Sequence, residues 1–404
     1  MTTIPRPATA ALTRRGALLG LSTAIALGPS ALAIADAPTE RRFVVVILRG
    51  ALDGLAAVPP YGDSRFRSLR NDIAPPDPGE PEGALDLGGF YGLHPALVNL
   101  HALFASNELL VVHAVAGGYR SRSHFEAQDC LESGADHRLT SGWLNRAVSA
   151  IGPQRTETAA GDALAIGVSV PLLLRGEAPV SNWAPPAFSQ PPPDLYGTIA
   201  ALNRTDPITG PAIEEGLRER GFSSEALAGM APEAGPRFAF RKLASAAGLM
   251  LRATDGPRVA ALEIGGWDTH AAQKIRLAGP LRELDAGLGA LKEGLGDAWR
   301  QTAVLVMTEF GRTVHVNGTK GTDHGTGTVA LVLGGAVAGG RILADWPGLA
   351  DDRLLDRRDL APTTDLRAIA KGLLAQHLGL APPALATVFP ASGNAIPRGG
   401  LIRA

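Results

Sequence analysis

The sequence predicts an α/β protein built on a mainly parallel central sheet, and three observations carry that expectation. Apolar, β-branched runs at 43–48, 259–264 and 302–308 each stop abruptly at polar residues. That is the pattern of strands buried on both faces whose carboxyl ends carry a site. A helix-length stretch at 271–295 separates the last two runs, which makes a βαβ unit with parallel strands and a right-handed crossover. The 404 residues, 45% hydrophobic and 19% charged, suffice to bury a large core around such a sheet.

The first 35 residues stand apart from that fold. Thr13, Arg14 and Arg15 precede an apolar run at 17–27, and pairs of small residues follow at Ala31 and Ala33 and at Ala33 and Ala35. This reads as a twin-arginine export signal, cleaved to leave a mature chain starting near Ile34 or Asp36 in the periplasm or outside the cell. A retained anchor would need about 20 apolar residues; this run is shorter and is broken by Pro29, so the mature chain is expected to carry no stable membrane span. The export machinery is the first partner expected, and it carries folded proteins, which suits a cofactor or metal acquired before export. Losing the signal removes Arg6, Arg14 and Arg15 and no acid, leaving 35 basic against 39 acidic residues, a net charge of −4 in place of −1. No basic patch points to nucleic acid. Cys130 is the single cysteine, which excludes an internal disulfide.

From the amino end, the strand at 43–48 leaves through Arg49-Gly-Ala-Leu-Asp-Gly54, a turn whose glycines permit tight backbone geometry. Asp53 therefore lies just past a strand end, either as the cap of a turn or helix or as a site carboxylate. Residues 72–90 read as a surface loop, and 93–104 as an amphipathic helix with Pro95 near its first turn. The strand at 109–114 opens into Tyr119-Arg-Ser-Arg-Ser-His-Phe-Glu126. Ser123 and Glu126 have capping-box spacing, so Ser123 begins a helix. The same position offers a nucleophile or an oxyanion free N–H groups and the positive end of the helix dipole. Arg120 and Arg122 alongside either clamp an anionic ester or belong to a solvated turn.

A helix near 142–146 and a strand at 163–168 come next, then a proline-rich stretch at 184–193 and helix-like stretches from 195 to 253, the last at 237–251. The unit at 259–308 ends at Glu309. A glycine- and threonine-rich loop at 318–327 then carries Asp323 and His324 into a strand at 329–333, and glycine pairs at 334 and 339 mark a turn before Arg341-Ile-Leu343. A helix at 363–378 starts from Thr363 or Thr364, and a loop-like tail runs to Ala404. Strand ends holding Asp53, Asp268, His270, Glu309, Asp323 and His324 point to one oxygen-and-imidazole cluster.

Five motifs, Arg49-Gly-Ala-Leu-Asp-Gly-Leu55, Ser121-Arg-Ser-His-Phe125, Gly265-Gly-Trp-Asp-Thr-His270, Thr308-Glu-Phe-Gly-Arg-Thr313 and Gly321-Thr-Asp-His-Gly-Thr326, resemble the exported bacterial family catalogued as domain of unknown function 1501, over essentially the whole mature chain. That family in turn resembles a remote branch of the alkaline phosphatase, sulfatase and cofactor-independent phosphoglycerate mutase superfamily. The resemblance implies an alkaline-phosphatase-like three-layer fold, a single domain over 36–404 with an irregular and α-helical insertion at 172–255. It also implies a site. Asp53 matches the superfamily's first-strand acid, Ser121 or Ser123 falls near its nucleophile, Asp268 and His270 resemble its Asp-to-His pair, Glu309 takes the late-strand Asp position, and His324 resembles its final His. Two departures stand out. Phe310 occupies the place of an imidazole ligand, and Asp268 and His270 are two apart where the superfamily usually has four, so one metal, or a remodelled site without metal, is expected in place of two.

The expected function is an exported hydrolase of phosphate or sulfate esters. Ser123 or Ser121 attacks, Asp53, Asp268, His270, Glu309, Asp323 and His324 supply ligands to a divalent ion (zinc, manganese or calcium), and Arg120 or Arg122 stabilises the developing anion. The substrate is an anionic ester or polymer. The alternative is a non-catalytic exported binding or accessory protein that keeps the fold with a degraded site. The export reading has a direct test: with Arg14 and Arg15 both changed to Lys, the precursor is expected to stay in the cytoplasm on cell fractionation, because the receptor reads guanidinium groups and not charge alone.

Overall fold

The computed structural model describes residues 40–151, 163–185, 193–206, 239–254 and 256–403, with isolated positions between 207 and 238. The twin-arginine stretch and its cleavage region lie outside the described residues. The strands are β1 Arg42–Arg49, β2 Leu85–Asp86, β3 Gly92–Leu93, β4 Leu109–Ala116, β5 Ala163–Ile166, β6 Ser181–Trp183, β7 Val259–Gly265, β8 Thr302–Thr308, β9 Thr328–Leu333, β10 Arg341–Leu343 and β11 Thr364–Asp365. The helices are α1 Gly54–Ala57, α2 Phe66–Arg70, α3 Val98–Ala105, α4 His124–Ser133, α5 Trp143–Ile151, α6 Pro193–Asn203, α7 Phe240–Arg252, α8 Gln273–Leu295, α9 Leu366–Leu378 and α10 Pro382–Val388.

One sheet runs in the order β10-β4-β9-β8-β1-β7-β5-β6, with β11 also pairing β4. Its pairs are parallel except for the two that β9 makes, with β4 and β8. The strands at 259 and 302 thus share the sheet and run parallel, with β1 between them. Alternate residues of β1 feed two separate cores, because successive side chains of a strand point to opposite faces. Val44, Val46 and Leu48 pack with α3, α7 and α8, whereas Phe43, Val45 and Ile47 pack with α5, α9 and α10. Both faces of the sheet are therefore covered, giving a three-layer α/β/α arrangement, which is what uninterrupted apolar strands require. Among the described residues no helix is long and apolar enough to cross a membrane.

Several boundaries differ from the sequence reading. The helix expected from 93 begins at Val98; Gly92 and Leu93 instead pair with β2, and the His94 Nδ1 accepts from the Ala96 amide at 3.1 Å, building a turn around Pro95. Thr363 and Thr364 do not cap the last long helix. Asp365 does, accepting from the Arg367 amide, while Thr364 pairs with Val115. The tail read as loop contains α10. Within 172–255, β6 extends the sheet edge and α7 packs along α8, so this stretch supplies sheet and helix layer as well as loop.

Direction along the sheet decides what reaches the site. β1, β4, β7 and β8 are mutually parallel and deliver their carboxyl ends to one edge, while antiparallel β9 begins at that edge, so the loop before it arrives there too.

Two buried histidines make stability depend on pH. His113 donates from Nε2 to the Val58 carbonyl at 3.0 Å, and its Nδ1 accepts from the Ala114 amide at 2.8 Å, leaving no place for a second proton. Burial lowers its pKa from 6.5 to about 4, and burial does the same at His377. The unfolded chain protonates these rings below 6.5 and the native chain only below about 4, so stability is full above 6.5 and is lost as pH falls towards 4. Urea unfolding across that window is expected to show a decline of roughly 1.4 kcal/mol per pH unit for each such ring.

Candidate metal centre

Four strand termini supply the cluster. His124 is the first residue of α4, after β4; Asp268 and His270 follow β7; Glu309 follows β8; His324 precedes β9. Close backbone approach holds the loops together. Gly50 has φ +120, and a Cβ there would lie 2.9 Å from the Asp268 amide. At Gly321 a Cβ would lie 2.2 Å from the His270 carbonyl carbon. Both positions need glycine for the Asp268 and His270 loop to be clamped between β1 and the loop before β9.

Each histidine of the cluster is anchored through Nδ1. His124 Nδ1 donates to Glu309 Oε1 at 2.8 Å, His270 Nδ1 to Asp323 Oδ1 at 3.2 Å, and His324 Nδ1 to the Arg122 carbonyl at 3.0 Å. Arg122 has φ 62, a left-handed conformation uncommon for a residue that carries a Cβ, and its carbonyl faces the ring. With Nδ1 committed as donor, each ring presents Nε2. These Nε2 atoms converge, at 2.9 Å between His124 and His324 and 3.0 Å between His270 and His324. Nitrogen lone pairs so close must share protons or a cation. Asp268 Oδ1 lies 2.9 Å from His270 Nε2 and 3.4 Å from His324 Nε2, and the ligand atoms of His124, Asp268 and His324 all lie within 4.8 Å of one another. Imidazole and carboxylate are the donor types that a zinc-class or manganese ion takes.

The electrostatics follow from these contacts. The hydrogen bond to Glu309 raises the His124 pKa. At His324 burial, with His124 beside it, lowers it. Burial alone would raise Glu309, but bonds from His124 and Gln128 outweigh it and hold the carboxyl below its ordinary range. For Asp268 burial likewise acts upward and the Arg312 guanidinium reverses it. Hydrogen bonding from Asn317 lowers Asp323. Phe310 is buried against these rings, its centroid 4.9 Å from His124 and 5.2 Å from His324. It supports the rings from behind where the resemblance implied a ligand.

Asp268, His270 and His324 meet at their side chains, and Glu309 and Asp323 stand one step back, each holding a histidine. Asp53 is placed elsewhere. It is buried, caps α1 by accepting from the Ala56 amide, and pairs with Arg70 and Gln273, so the expected ligand is a structural carboxylate. Its oxygens are saturated, and the capping alternative is the one realised. Ser123 stands at the N-cap position of α4 but makes no side-chain cap bond; Glu126 bonds the Tyr119 phenol instead, and the expected capping box is not formed. Ser121 and Ser123 lie beside the same phenol. Arg120 folds back onto the Gly117 and Tyr119 carbonyls, and Arg122 pairs with Asp356 and Asp359, so neither guanidinium is directed at the cluster as a clamp.

His124 and Arg312 are the residues that reading the sequence missed. His124 lies inside Ser121-Arg-Ser-His-Phe125 at a helix start beyond a strand, which was signal enough. Arg312 follows Glu309 by three and bonds Asp268 at 2.6 Å, a pairing no spacing reveals.

The contrast between Asp53 and His270 can be measured. The His270→Ala change removes a half-exposed ring and is expected to lower zinc affinity by about 10-fold or more while the melting temperature of the apoprotein barely moves. Asp53→Ala leaves Arg70 buried without its partner and is expected to cost about 3–5 kcal/mol of stability. Chelator competition and thermal unfolding on both variants separate ligand from strut.

Among solved structures, the chain is similar to Ps i-CgsB in complex with k-i-k-neocarrahexaose, at 11% identity and a TM-score of 0.42 over 89% of this chain and 75% of that one. It is similar to the C-terminal periplasmic domain of EcEptC from Escherichia coli in complex with Zn, at 10% identity and a TM-score of 0.33 over 76% and 77%. A third likeness is to the phosphonate monoester hydrolase of Agrobacterium radiobacter, at 14% identity and a TM-score of 0.30 over 84% and 74%. No curated protein matches the chain. A family model described as protein of unknown function (DUF1501) matches residues 119–386 of the 404, and the chain belongs to that family.

Proposed function

We propose that this chain is an exported, metal-dependent hydrolase of anionic esters, phosphate or sulfate, with a single divalent ion held by His124, His270, His324 and Asp268. The observation that carries the reading is the convergence of three imidazole Nε2 atoms whose Nδ1 atoms are each fixed by an acceptor. A purely packing histidine has no reason to meet two others in this way. Bound there, the ion supplies Lewis acidity toward an ester oxygen.

The residues of the chain supply the rest. Asp268 and His270 are close to half exposed, so the centre opens to solvent on one side and admits a ligand. The first turn of α4 has no side-chain cap, and its N–H groups favour an anion beside His124. With Arg120 and Arg122 occupied elsewhere, this helix start is the group that meets negative charge on the substrate. Ser121 and Ser123 remain the candidate nucleophiles, beside a phenol that bonds Glu126.

A second reading, an exported binding or accessory protein with a retained metal, is favoured by the pairing of Asp53 with Arg70, which keeps that carboxylate out of the cluster. Protein purified from its native compartment, assayed for bound metal and for cleavage of aryl phosphate and aryl sulfate esters, decides between them. Because Ser123 makes no cap bond, Ser123→Ala is expected to abolish turnover at an unchanged melting temperature. Retained turnover moves the nucleophile to Ser121 or to water, and a metal-loaded wild type that cleaves no ester supports the binding reading.

A further inference from the structure

We propose that Arg312 is a positioning residue that sets which cation the centre takes, holding Asp268 in place and compensating its charge so that a nitrogen-preferring ion of the zinc type is selected over manganese or calcium. This rests on the reading that the histidine cluster binds a metal.

Arg312 is a strut from inside the protein. Its side chain is 0% exposed, against 45% for Asp268. One terminal nitrogen donates to Asp268 Oδ1 at 2.6 Å, the other to the Thr322 carbonyl, and Nε to the Thr322 hydroxyl at 3.2 Å. Thr322 is held in turn, its hydroxyl donating to Gln273 Oε1 at 2.6 Å and its amide to the Thr269 carbonyl at 3.2 Å. Gln273 also accepts from Thr269 and donates to Asp53. The guanidinium therefore ties the segment carrying Asp268 and His270 to the segment carrying His324, and the fork has no freedom to swing.

Charge supplies the selectivity. A guanidinium is ionised at every accessible pH, so the Asp268 oxygen that faces His270 and His324 is already half-neutralised before any cation arrives. What the site offers is three imidazole nitrogens and one compensated carboxylate. Calcium and manganese draw their affinity from anionic and carbonyl oxygens, whereas zinc, cobalt and nickel bind imidazole well. Removing Arg312 restores the carboxylate's full charge and frees its orientation, which favours the oxygen-preferring ions and weakens the fixed geometry that a tetrahedral ion uses.

The test is metal titration of the apoprotein by chelator competition, with zinc, cobalt, manganese and calcium each used alone. Wild type is expected to bind one zinc per chain at least about 100-fold more tightly than manganese or calcium. In Arg312→Gln the zinc-to-manganese ratio is expected to fall by about 10-fold or more, with weakened visible bands of the cobalt form. Thr322→Val, which removes one anchor of the guanidinium and keeps volume, is expected to shift the ratio in the same direction and covers the case in which Arg312→Gln does not fold. Wild type that takes zinc but binds manganese or calcium equally well overturns the proposal alone. So does an unchanged ratio in folded Arg312→Gln, or in Thr322→Val if the former does not fold. Wild type that takes up none of the four ions overturns the metal centre and this proposal together.

Discussion

Two carboxylates buried at the ends of neighbouring strands have to be matched, and the manner of matching separates a carboxylate that is fully enclosed from one that leads into the histidine cluster. Asp53, past β1, is met by the permanent charge of Arg70 together with an amide donor from α1 and the Gln273 side chain. Nothing is left over for a ligand. Glu309, past β8, is met by neutral donors from Gly50, Thr308 and Gln128 and by an imidazole. The imidazole has a second nitrogen, and that nitrogen faces His324 and Asp268. A buried carboxylate with no partner would be too costly to keep, so both pairings are compulsory, but only the one made with histidine leaves a donor atom facing outward.

The same logic runs outward through the cluster. Asp323 and the Arg122 carbonyl hold His270 and His324 as Glu309 holds His124, so ligand orientation is set by groups that need not touch a metal. Phe310 braces two of the rings from the apolar side. Arg312 and Arg70, both buried, are joined through Thr322, Gln273 and Asp53 in one chain of hydrogen bonds beneath the centre. Networks of this sort rigidify when fully satisfied, and here the rigid part underlies the segments that carry Asp268, His270 and His324.

The orientation of one strand is equally necessary. Were β9 parallel to its neighbours, its leading loop would emerge at the opposite edge and His324 would lie a strand's length away from His124. Antiparallel pairing with both β4 and β8 brings that loop back beside the ends of β7 and β8, where Gly321 lets it press against the His270 backbone.

The amino-acid sequence by itself determined the layered α/β architecture, because runs such as 43–48 and 303–307 are apolar at every position and only a sheet covered on both faces buries them. It also pointed to Asp268, His270 and Glu309 gathering at one edge, because the crossover between 259–264 and 302–308 makes those strands parallel, whereas Asp323 and His324 join them through the antiparallel pairing of β9. Tertiary structure alone decided which of these atoms face one another. His124 enters from a strand that is distant in sequence, Asp53 is withdrawn by an arginine 17 residues on, and Asp268 is claimed by Arg312, 44 residues away. Hydrophobic periodicity is written residue by residue, whereas the partner of a buried charge is chosen by packing in three dimensions, and no spacing along the chain encodes it.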